Sequence, residues 1–263
     1  MTPPGNPPAA GDASANERSG GRTPFGFRDV DPGAKAGLVR DVFDSVARRY
    51  DLMNDLMSGG LHRIWKASLI DRLRPRAGMH LLDVAGGTGD IALRFLAAGG
   101  GRVTVCDINA SMVAVGRDRA IDANRLSGID WLVGDAESLP VPDGAVDACT
   151  IAFGLRNVTH IEAALAEARR VLRPGGRFLC LEFSHVASPL LAALYDRYSF
   201  AVLPALGGLV ARDADSYRYL AESIRRFPAQ EELAEAVRAA GFERVSWRNL
   251  TCGVAAIHAG WRV

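Results

Sequence analysis

Residues 80–90 read HLLDVAGGTGD, a short apolar run that leads into a glycine-rich loop and then an acidic residue. Residues 90–98, DIALRFLAA, carry apolar side chains at helical spacing and end at a run of three glycines. A strand, a tight glycine loop and a helix in this order are typical of an open α/β sheet, in which ligands bind outside the carboxyl ends of the strands. We therefore predict a strand–loop–helix unit that binds a ligand.

The same alternation extends along the chain on the carboxyl side of this unit. Strands are predicted at 80–85, 102–107, 129–134, 145–153, 177–184, 242–250 and 252–261, and helices at 90–98, 110–125, 159–172, 213–226 and 229–240. Regular alternation with short turns favours a parallel sheet with helices on both faces, whereas the short turn between the last two strands favours antiparallel pairing. The predicted fold class is therefore α/β: a doubly wound, mostly parallel seven-stranded sheet that ends in an antiparallel hairpin.

The amino-terminal part of the chain divides into two segments. Residues 1–33 are rich in Pro, Gly, Ala and Ser and carry few large apolar groups, so we expect a disordered tail. Residues 34–76 contain two helical patterns, at 38–58 and 61–74, which form a helical extension before the sheet. Residues 77–263 form the α/β domain, with a helical insertion at about 188–226.

Composition excludes several functional classes. Of the 263 residues 48% are hydrophobic and 23% charged, and the net charge of +1 gives no support for a nucleic-acid partner. The four cysteines are widely spaced, which predicts buried free thiols in a reducing compartment and no metal site. The chain lacks a secretory signal pattern and an apolar run long enough to span a membrane, so a cytoplasmic location is expected.

Glycines 86, 87 and 89 lie in the loop after the first predicted strand. Glycine lets a ligand approach the backbone closely, and the helix that follows offers free N–H groups to an anionic part of that ligand. The alternative is a tight turn without a ligand.

Two further polar signals follow the next two strands. Asp107 ends the second strand, 18 residues past Gly89, where a carboxylate accepts hydrogen bonds from ribose hydroxyls; the alternative is a helix N-cap, although Asn109 or Ser111 fits that role as well. Residues 134–140, GDAESLP, follow the third strand, where a polar side chain can contact an adenine edge. The glycine loop and the acid alone do not distinguish NAD from S-adenosylmethionine.

A family resemblance becomes evident when the motifs are taken together. The stretches LLDVAGGTGD, VCDINASM, FGLRNV and VLRPGGRFLCLEFS resemble class I S-adenosylmethionine-dependent methyltransferases. The segments VFDSVARRYDLMNDLMSGGLHRIWK at 42–66, DADSYRYL at 213–220 and NLTCGVAAIHAG at 249–260 narrow the resemblance to the ubiquinone/menaquinone biosynthesis C-methyltransferases. It covers nearly all of the chain after residue 33.

The resemblance implies S-adenosyl-L-methionine as cofactor and assigns its contacts. Those contacts fall on Gly86, Gly87, Thr88, Gly89, Asp107, Asp135 and Ala136. One position departs from the family, because residue 152 is often a cofactor-contacting serine there and is alanine here.

The resemblance also implies methyl transfer to a ring carbon of a reduced polyprenylated quinone without a metal. Arg156 and Asn157 follow the fourth strand, and Tyr50 and His62 lie in the helical extension, which the resemblance implies is a cover of the active site; these four are the catalytic candidates. Arg156 would stabilise a phenolate or position a water, with a structural salt bridge as the alternative, and Glu182 would hold it. For His62 the alternative is a hydrogen-bonded packing residue.

The expected partner is the polyprenylated quinol. Peripheral contact with the inner face of the membrane, association with other quinone-biosynthesis enzymes and a homodimer stay open, and the apolar segment 188–211 fits either a packed helix or a wall for an isoprenoid tail. Three other functions compete: a methyltransferase for another small molecule, an NAD-dependent oxidoreductase and a non-catalytic cofactor-binding protein. The loop AGGTG, which is not G-x-G-x-x-G, and the terminal hairpin argue against the oxidoreductase.

Overall fold

The computed structural model of the chain describes residues 22–46, 54–55, 58–125, 127–186 and 214–263. Within these ranges strands alternate with helices much as the apolar pattern predicts. The strands are β1 Thr23–Phe25, β2 Arg28–Val30, β3 His80–Val84, β4 Arg102–Asp107, β5 Ile129–Val133, β6 Val146–Ala152, β7 Leu172–Phe183, β8 Glu243–Leu250 and β9 Ala255–Trp261. The helices are α1 Pro32–Val46, α2 His62–Leu73, α3 Asp90–Ala97, α4 Ala110–Asp122, α5 Ile161–Val171, α6 Ala214–Arg226 and α7 Gln230–Ala239, with a 3₁₀ turn at Leu155–Asn157.

Seven strands form one sheet in the order β5-β4-β3-β6-β7-β9-β8. Strands β3 to β7 pair in parallel, whereas β9 runs antiparallel to both β7 and β8. The predicted fold class is therefore confirmed, including the antiparallel finish. The parallel strands carry long apolar runs because helices cover both faces of the sheet, and buried side chains form a separate core on each face.

The amino-terminal hairpin corrects the predicted end of the disordered tail. Strands β1 and β2 pair antiparallel inside the segment assigned to the tail, and α1 begins at Pro32. Phe25 supplies the apolar burial that the composition of the tail as a whole does not suggest: it is 5% exposed and stacks on Tyr219 with ring centroids 4.3 Å apart. The other predicted domain boundaries stay predictions.

Two local expectations also change. Strand β7 begins at Leu172, directly after α5, because Leu172 pairs with Val146 before the register shifts around the PGG turn. Cys106, Cys149 and Cys180 are buried free thiols as expected, but Cys252 is exposed because it lies in the turn between β8 and β9.

None of the helices in the described part of the chain has the length and apolarity needed to cross a membrane.

Helix α2 offers a matched test of the core. Leu69 is fully buried, whereas Ile64 in the same helix is 62% exposed. We expect Leu69→Ala to lower the free energy of unfolding by about 2–5 kcal/mol, because it removes apolar contacts and leaves a cavity. Ile64→Ala is expected to change it by less than about 1 kcal/mol. Urea unfolding of both variants measures this, and equal losses would contradict the packing of α2 on the sheet.

Candidate active site

A cleft lies at the carboxyl ends of the parallel strands. Its unfilled space, including space open to solvent, is about 770 Å³. The turns after β3, β4, β5 and β6 line one side, and α1 closes the other. Among the lining residues are Gly87, Asp107, Asp135, Ala136 and Asn157, five of the residues predicted from the sequence.

Asp107 joins two of these turns. One carboxylate oxygen accepts the N–H of Gly87 at 2.8 Å, and the other accepts the N–H of Asn109 at 2.9 Å. Burial raises the pKa of this carboxyl, although the two hydrogen bonds oppose the shift. A carboxylate has about four acceptor positions, so two remain for the hydroxyls of a ribose. The helix N-cap is Asn109, which accepts the N–H of Met112 at 3.0 Å.

The glycine loop has little space for side chains. A Cβ at residue 86 would lie 2.8 Å from the carboxylate of Asp83, and one at residue 89 would lie 2.6 Å from the indole ring of Trp131. Gly86 and Gly89 therefore shape the loop from behind, and Gly87 lines the cleft. Thr88 lies outside the lining, with its hydroxyl accepting a hydrogen bond from Arg119 at 3.0 Å.

Asp83 lies beneath the loop and is fully buried. One of its carboxylate oxygens accepts the hydroxyl of Thr150 at 2.8 Å, and the other has no hydrogen-bond partner in the described part of the chain. Burial raises its pKa to about 7. A buried acceptor without a donor favours a positively charged or hydrogen-bonding group above the loop, which fits a cofactor that carries an ammonium and a sulfonium.

The turn after β5 connects to the turn after β6 through Glu137. Its carboxylate accepts the backbone N–H groups of Thr159 at 2.8 Å and His160 at 2.9 Å. Asp135 accepts the N–H of Glu137 at 2.9 Å. These bonds fix the backbone beside Ala136 at the cleft edge, where an adenine contact was predicted.

Two non-glycine residues that line the cleft have a left-handed backbone conformation. Ala85 has φ 50° and Phe153 has φ 58°, and both line the cleft. A Cβ on Gly154, between β6 and the 3₁₀ turn, would lie 2.4 Å from the Cβ of Ala85. Backbone conformations of this kind persist where surrounding structure holds them, and they concentrate at functional sites.

Arg156 forms the salt bridge that was the alternative to its catalytic role. Its guanidinium lies 2.9 Å from the carboxylate of Glu182, and both side chains are 1% exposed. The same guanidinium donates to the carbonyl of Phe153 at 2.7 Å, and the backbone N–H of Arg156 also donates to Glu182. Burial raises the pKa of Glu182, and the arginine opposes this shift. The pair therefore fixes the turn that carries Asn157.

Asn157 is oriented by Tyr219. The tyrosine hydroxyl donates to the side-chain oxygen of Asn157 at 3.1 Å, so the two donors of the amide nitrogen are left for other groups. Burial raises the pKa of Tyr219, which therefore keeps its proton and acts as a donor. Asn157 is thus the predicted catalytic candidate that both lines the cleft and has donors free of Tyr219.

His62 and Tyr50 do not join this arrangement among the described residues. His62 is buried, and its Nδ1 lies 3.0 Å from the hydroxyl of Ser58. Burial and the nearby Lys66 ammonium lower the pKa of His62. These contacts of His62 match the alternative, which was a hydrogen-bonded packing residue. Tyr50 and segment 188–211 lie outside the described residues, and the described ranges hold no cluster of His, Cys, Asp and Glu suited to a metal ion.

Helix α1 forms one side of the cleft through residues that the sequence did not single out. Val39, Arg40 and Phe43 line the cleft. The helix is tied to the turn after β4 because the amide of Asn109 donates to Asp44 at 2.9 Å. The spacing of residues 36, 39, 40 and 43 is the signal, since it places these side chains on one helical face.

Known proteins resemble this chain along most of its length. The model of the ubiE/COQ5 methyltransferase family matches residues 32–262. Proteins named ubiquinone/menaquinone biosynthesis C-methyltransferase UbiE are 60% identical in Paracoccus denitrificans and 61% in Methylobacterium nodulans, each over 92% of this chain and 97% of the relative.

Among solved structures, the [4+2]-cyclase SpnF superposes with a TM-score of 0.63 at 20% identity, covering 86% of this chain and 96% of the cyclase. A SAM-dependent methyltransferase from Thermotoga maritima, described as a possible histamine N-methyltransferase, gives 0.60 at 19% identity, covering 85% and 99%. At such identities these structures support the fold.

The geometry around Asp107 makes a first prediction for this site. Asp107→Asn keeps the size of the side chain but replaces one acceptor oxygen by a donor, which opposes a backbone N–H and removes an acceptor for ribose. We expect the affinity for S-adenosylmethionine to fall about 10- to 100-fold in calorimetric titration. The control is Asp130→Asn, on the neighbouring strand and paired with the exposed Arg102. Unchanged affinity in Asp107→Asn would contradict this site.

Asp83 makes a prediction about pH. Its pKa is about 7 in the folded protein and ordinarily 3.8, so between those values the folded state holds a proton that the unfolded chain releases. This group therefore lowers the free energy of unfolding as pH rises from about 4 to about 7. Asp83→Asn mimics the protonated form. The difference in free energy of unfolding between this variant and the parent should therefore shift in favour of the variant by on the order of 2 kcal/mol from pH 5 to pH 8.

Urea unfolding at the two pH values measures this gain. Asp71→Asn, at an exposed position of α2, is the matched control and should leave the pH dependence unchanged. Parallel stability curves for Asp83→Asn and the parent would show that Asp83 is ionised throughout.

Proposed function

Because the chain belongs to the ubiE/COQ5 methyltransferase family, we propose that it transfers the methyl group of S-adenosylmethionine to a ring carbon of a reduced polyprenylated quinone. The enzyme class follows from the family, and the proposed acceptor from the names of relatives, ubiquinone/menaquinone biosynthesis C-methyltransferases, which are about 60% identical in matches that cover 97% of their length. This near-complete overlap is the observation that carries the proposal. The acceptor is a benzoquinol, a naphthoquinol or both, and no nucleic-acid partner is involved.

The residues that would hold the cofactor fit its chemistry. Asp107 has acceptor positions left for ribose hydroxyls, and Asp135 and Ala136 line the cleft where the adenine would bind. Gly87 has no side chain, so the backbone of the loop is accessible to the cofactor. When bound, S-adenosylmethionine supplies a methyl group that its sulfonium already activates. The task of the protein is therefore to align the acceptor carbon and to favour loss of a proton from the neighbouring ring hydroxyl.

Asn157 is the group best placed to contact the acceptor ring. It lines the cofactor cleft, and Tyr219 occupies its oxygen and leaves its amide N–H groups to donate to a ring oxygen. Arg156 supports this role indirectly, because its bonds to Glu182 and Phe153 fix the turn that carries Asn157. Glu182 compensates its charge, so we assign Arg156 as a positioning residue.

We also propose peripheral contact with a membrane, since the acceptor carries a polyprenyl tail. The strongly apolar composition of segment 188–211 supports this location. Flotation of the protein with neutral and anionic vesicles tests it, and absence from both vesicle fractions would count against it. A homodimer and association with other quinone-biosynthesis enzymes are further proposals that sedimentation of the pure protein and co-purification address.

The activity itself is tested with S-adenosylmethionine labelled in its methyl group and with chemically reduced demethylated benzoquinol and naphthoquinol acceptors. We expect the label on a ring carbon, located by mass spectrometry and NMR. Asn157→Ala should lower kcat by about 10²- to 10³-fold, the usual cost of losing a donor to a developing oxyanion. Asn124→Ala, in the turn after α4, is the control. No turnover by the parent with either acceptor class would overturn the proposal.

A further inference from the structure

A second cavity lies behind the turn that carries Asn157. It is bounded by the amino-terminal hairpin, α1, the segment after β6 and α6. Val158 and Thr159 line both this cavity and the cofactor cleft, so the two spaces adjoin at these two residues. Arg156 and Tyr219, which position Asn157, line the second cavity. The cavity is therefore next to the site of methyl transfer.

Lys35 of α1 lines this cavity and is almost completely buried, with 3% of its surface exposed. Its ammonium donates to the backbone carbonyl of Val158 at 2.8 Å. An ammonium has three donors, and this is the one hydrogen bond that the ammonium of Lys35 makes among the described residues. Its partner is a neutral carbonyl, and no carboxylate of the described chain lies within 4.0 Å. The charge of Lys35 is thus buried without an ion-pair partner among the described residues.

The other cations at the cavity are neutralised. Glu182 pairs with Arg156 at 2.9 Å, and Asp29 pairs with Arg226 at 2.8 Å. Glu137 is the acidic group whose field reaches Lys35, and Tyr219 faces the cavity as a protonated hydroxyl. Lys35 is therefore the cation of the cavity, within the described residues, that has charge left for an anionic ligand.

Anchoring of α1 does not by itself require a charge at this position. Burying an ammonium costs several kcal/mol unless an anion compensates it, and an apolar side chain would pack between α1 and Val158 without that cost. A charge kept at such a position fits a ligand that becomes negative. Methyl transfer to a ring carbon creates one, because loss of the hydroxyl proton places negative charge on a ring oxygen.

We propose that Lys35 is a catalytic residue that binds a ring oxygen of the acceptor and stabilises its negative charge. This inference rests on the proposed function. The ring hydroxyl gives its proton to water, and the charge spreads from the oxygen to the adjacent ring carbon. That carbon forms the new bond to the methyl group while the bond between methyl and sulfur breaks and its electron pair stays on sulfur. Loss of the hydrogen on that carbon, as a proton to water, then restores the aromatic ring.

The test compares Lys35→Met with Lys35→Arg, using the reduced quinol acceptor that the parent methylates best. Methionine keeps the length of the side chain without charge, so kcat should fall about 10²-fold, as for loss of a donor to an oxyanion. Arginine restores the charge and should keep kcat within about tenfold of the parent. The affinity for S-adenosylmethionine, measured by calorimetry, should change less than about twofold in both variants.

The pH profile of kcat separates a charged role from a structural one. Burial lowers the pKa of Lys35, and Glu137 partly opposes this shift. As pH rises through that pKa the ammonium loses its charge, so kcat of the parent should fall on the alkaline side. In Lys35→Arg this fall should move to higher pH, because a guanidinium stays protonated. Arg226→Gln removes a cation that Asp29 already compensates and should keep the profile of the parent.

Each of three outcomes would overturn the inference. Parental kcat in Lys35→Met would show that the charge is not used. A loss of cofactor affinity as large as the loss of kcat would reduce Lys35 to an anchor of α1. A parental pH profile in Lys35→Arg would exclude titration of Lys35 and decides the question even where Lys35→Met fails to fold. If the parent itself methylates no quinol, the proposed function fails first and the inference fails with it.

Discussion

The predicted cofactor site depends on two hydrogen bonds that the carboxylate of Asp107 accepts from the backbone. The carboxylate accepts one backbone N–H from the glycine loop after β3 and one from the turn after β4, and so joins the ends of two neighbouring strands. Burial makes an unpaired carboxylate costly here, and the two bonds reduce that cost. The same geometry leaves acceptor positions directed away from the backbone. One side chain therefore sets both the shape of the loop and its preference for a hydroxylated ligand.

The turn after β6 is held by a different principle, a buried ion pair. The bonds of Arg156 to Glu182 and to the carbonyl of Phe153 keep Phe153 in its left-handed conformation, and the ring of Phe153 packs against those of Trp65 and Phe183. A buried pair of this kind is weak support for stability but strongly constrains geometry, since breaking it leaves an unpaired charge. The role that we propose for this pair is therefore positional: it holds the turn that carries Asn157 at the cleft.

The sequence was sufficient for the sheet and for two of the acids that line the cleft, because both follow from local patterns. Apolar runs and glycine turns placed all seven strands of the large sheet, and Asp107 and Asp135 were found because polar residues that end strands meet at one edge. Lys35 was not found. Its burial arises from a contact with Val158, 123 residues away, and in its Gly-Ala-Lys-Ala context a lysine reads as solvated. The β1–β2 hairpin was missed for the same reason, since its burial depends on Tyr219.

The glycine-loop side of the cleft and the adjoining cavity that contains Lys35 differ in charge, and this difference matches the proposed reaction. Asp83 and Asp107 lie on the side of the glycine loop, where burial raises the pKa of both carboxyls and a cation would relieve the unfavourable charge. Lys35 lines the adjoining cavity, where an anion would do the same. A cationic methyl donor would therefore compensate the charge of the carboxyls, and an acceptor that becomes anionic would compensate the charge of Lys35. Since the two charges disappear together as the methyl group moves, a site built this way favours the acceptor as its phenolate beside the donor.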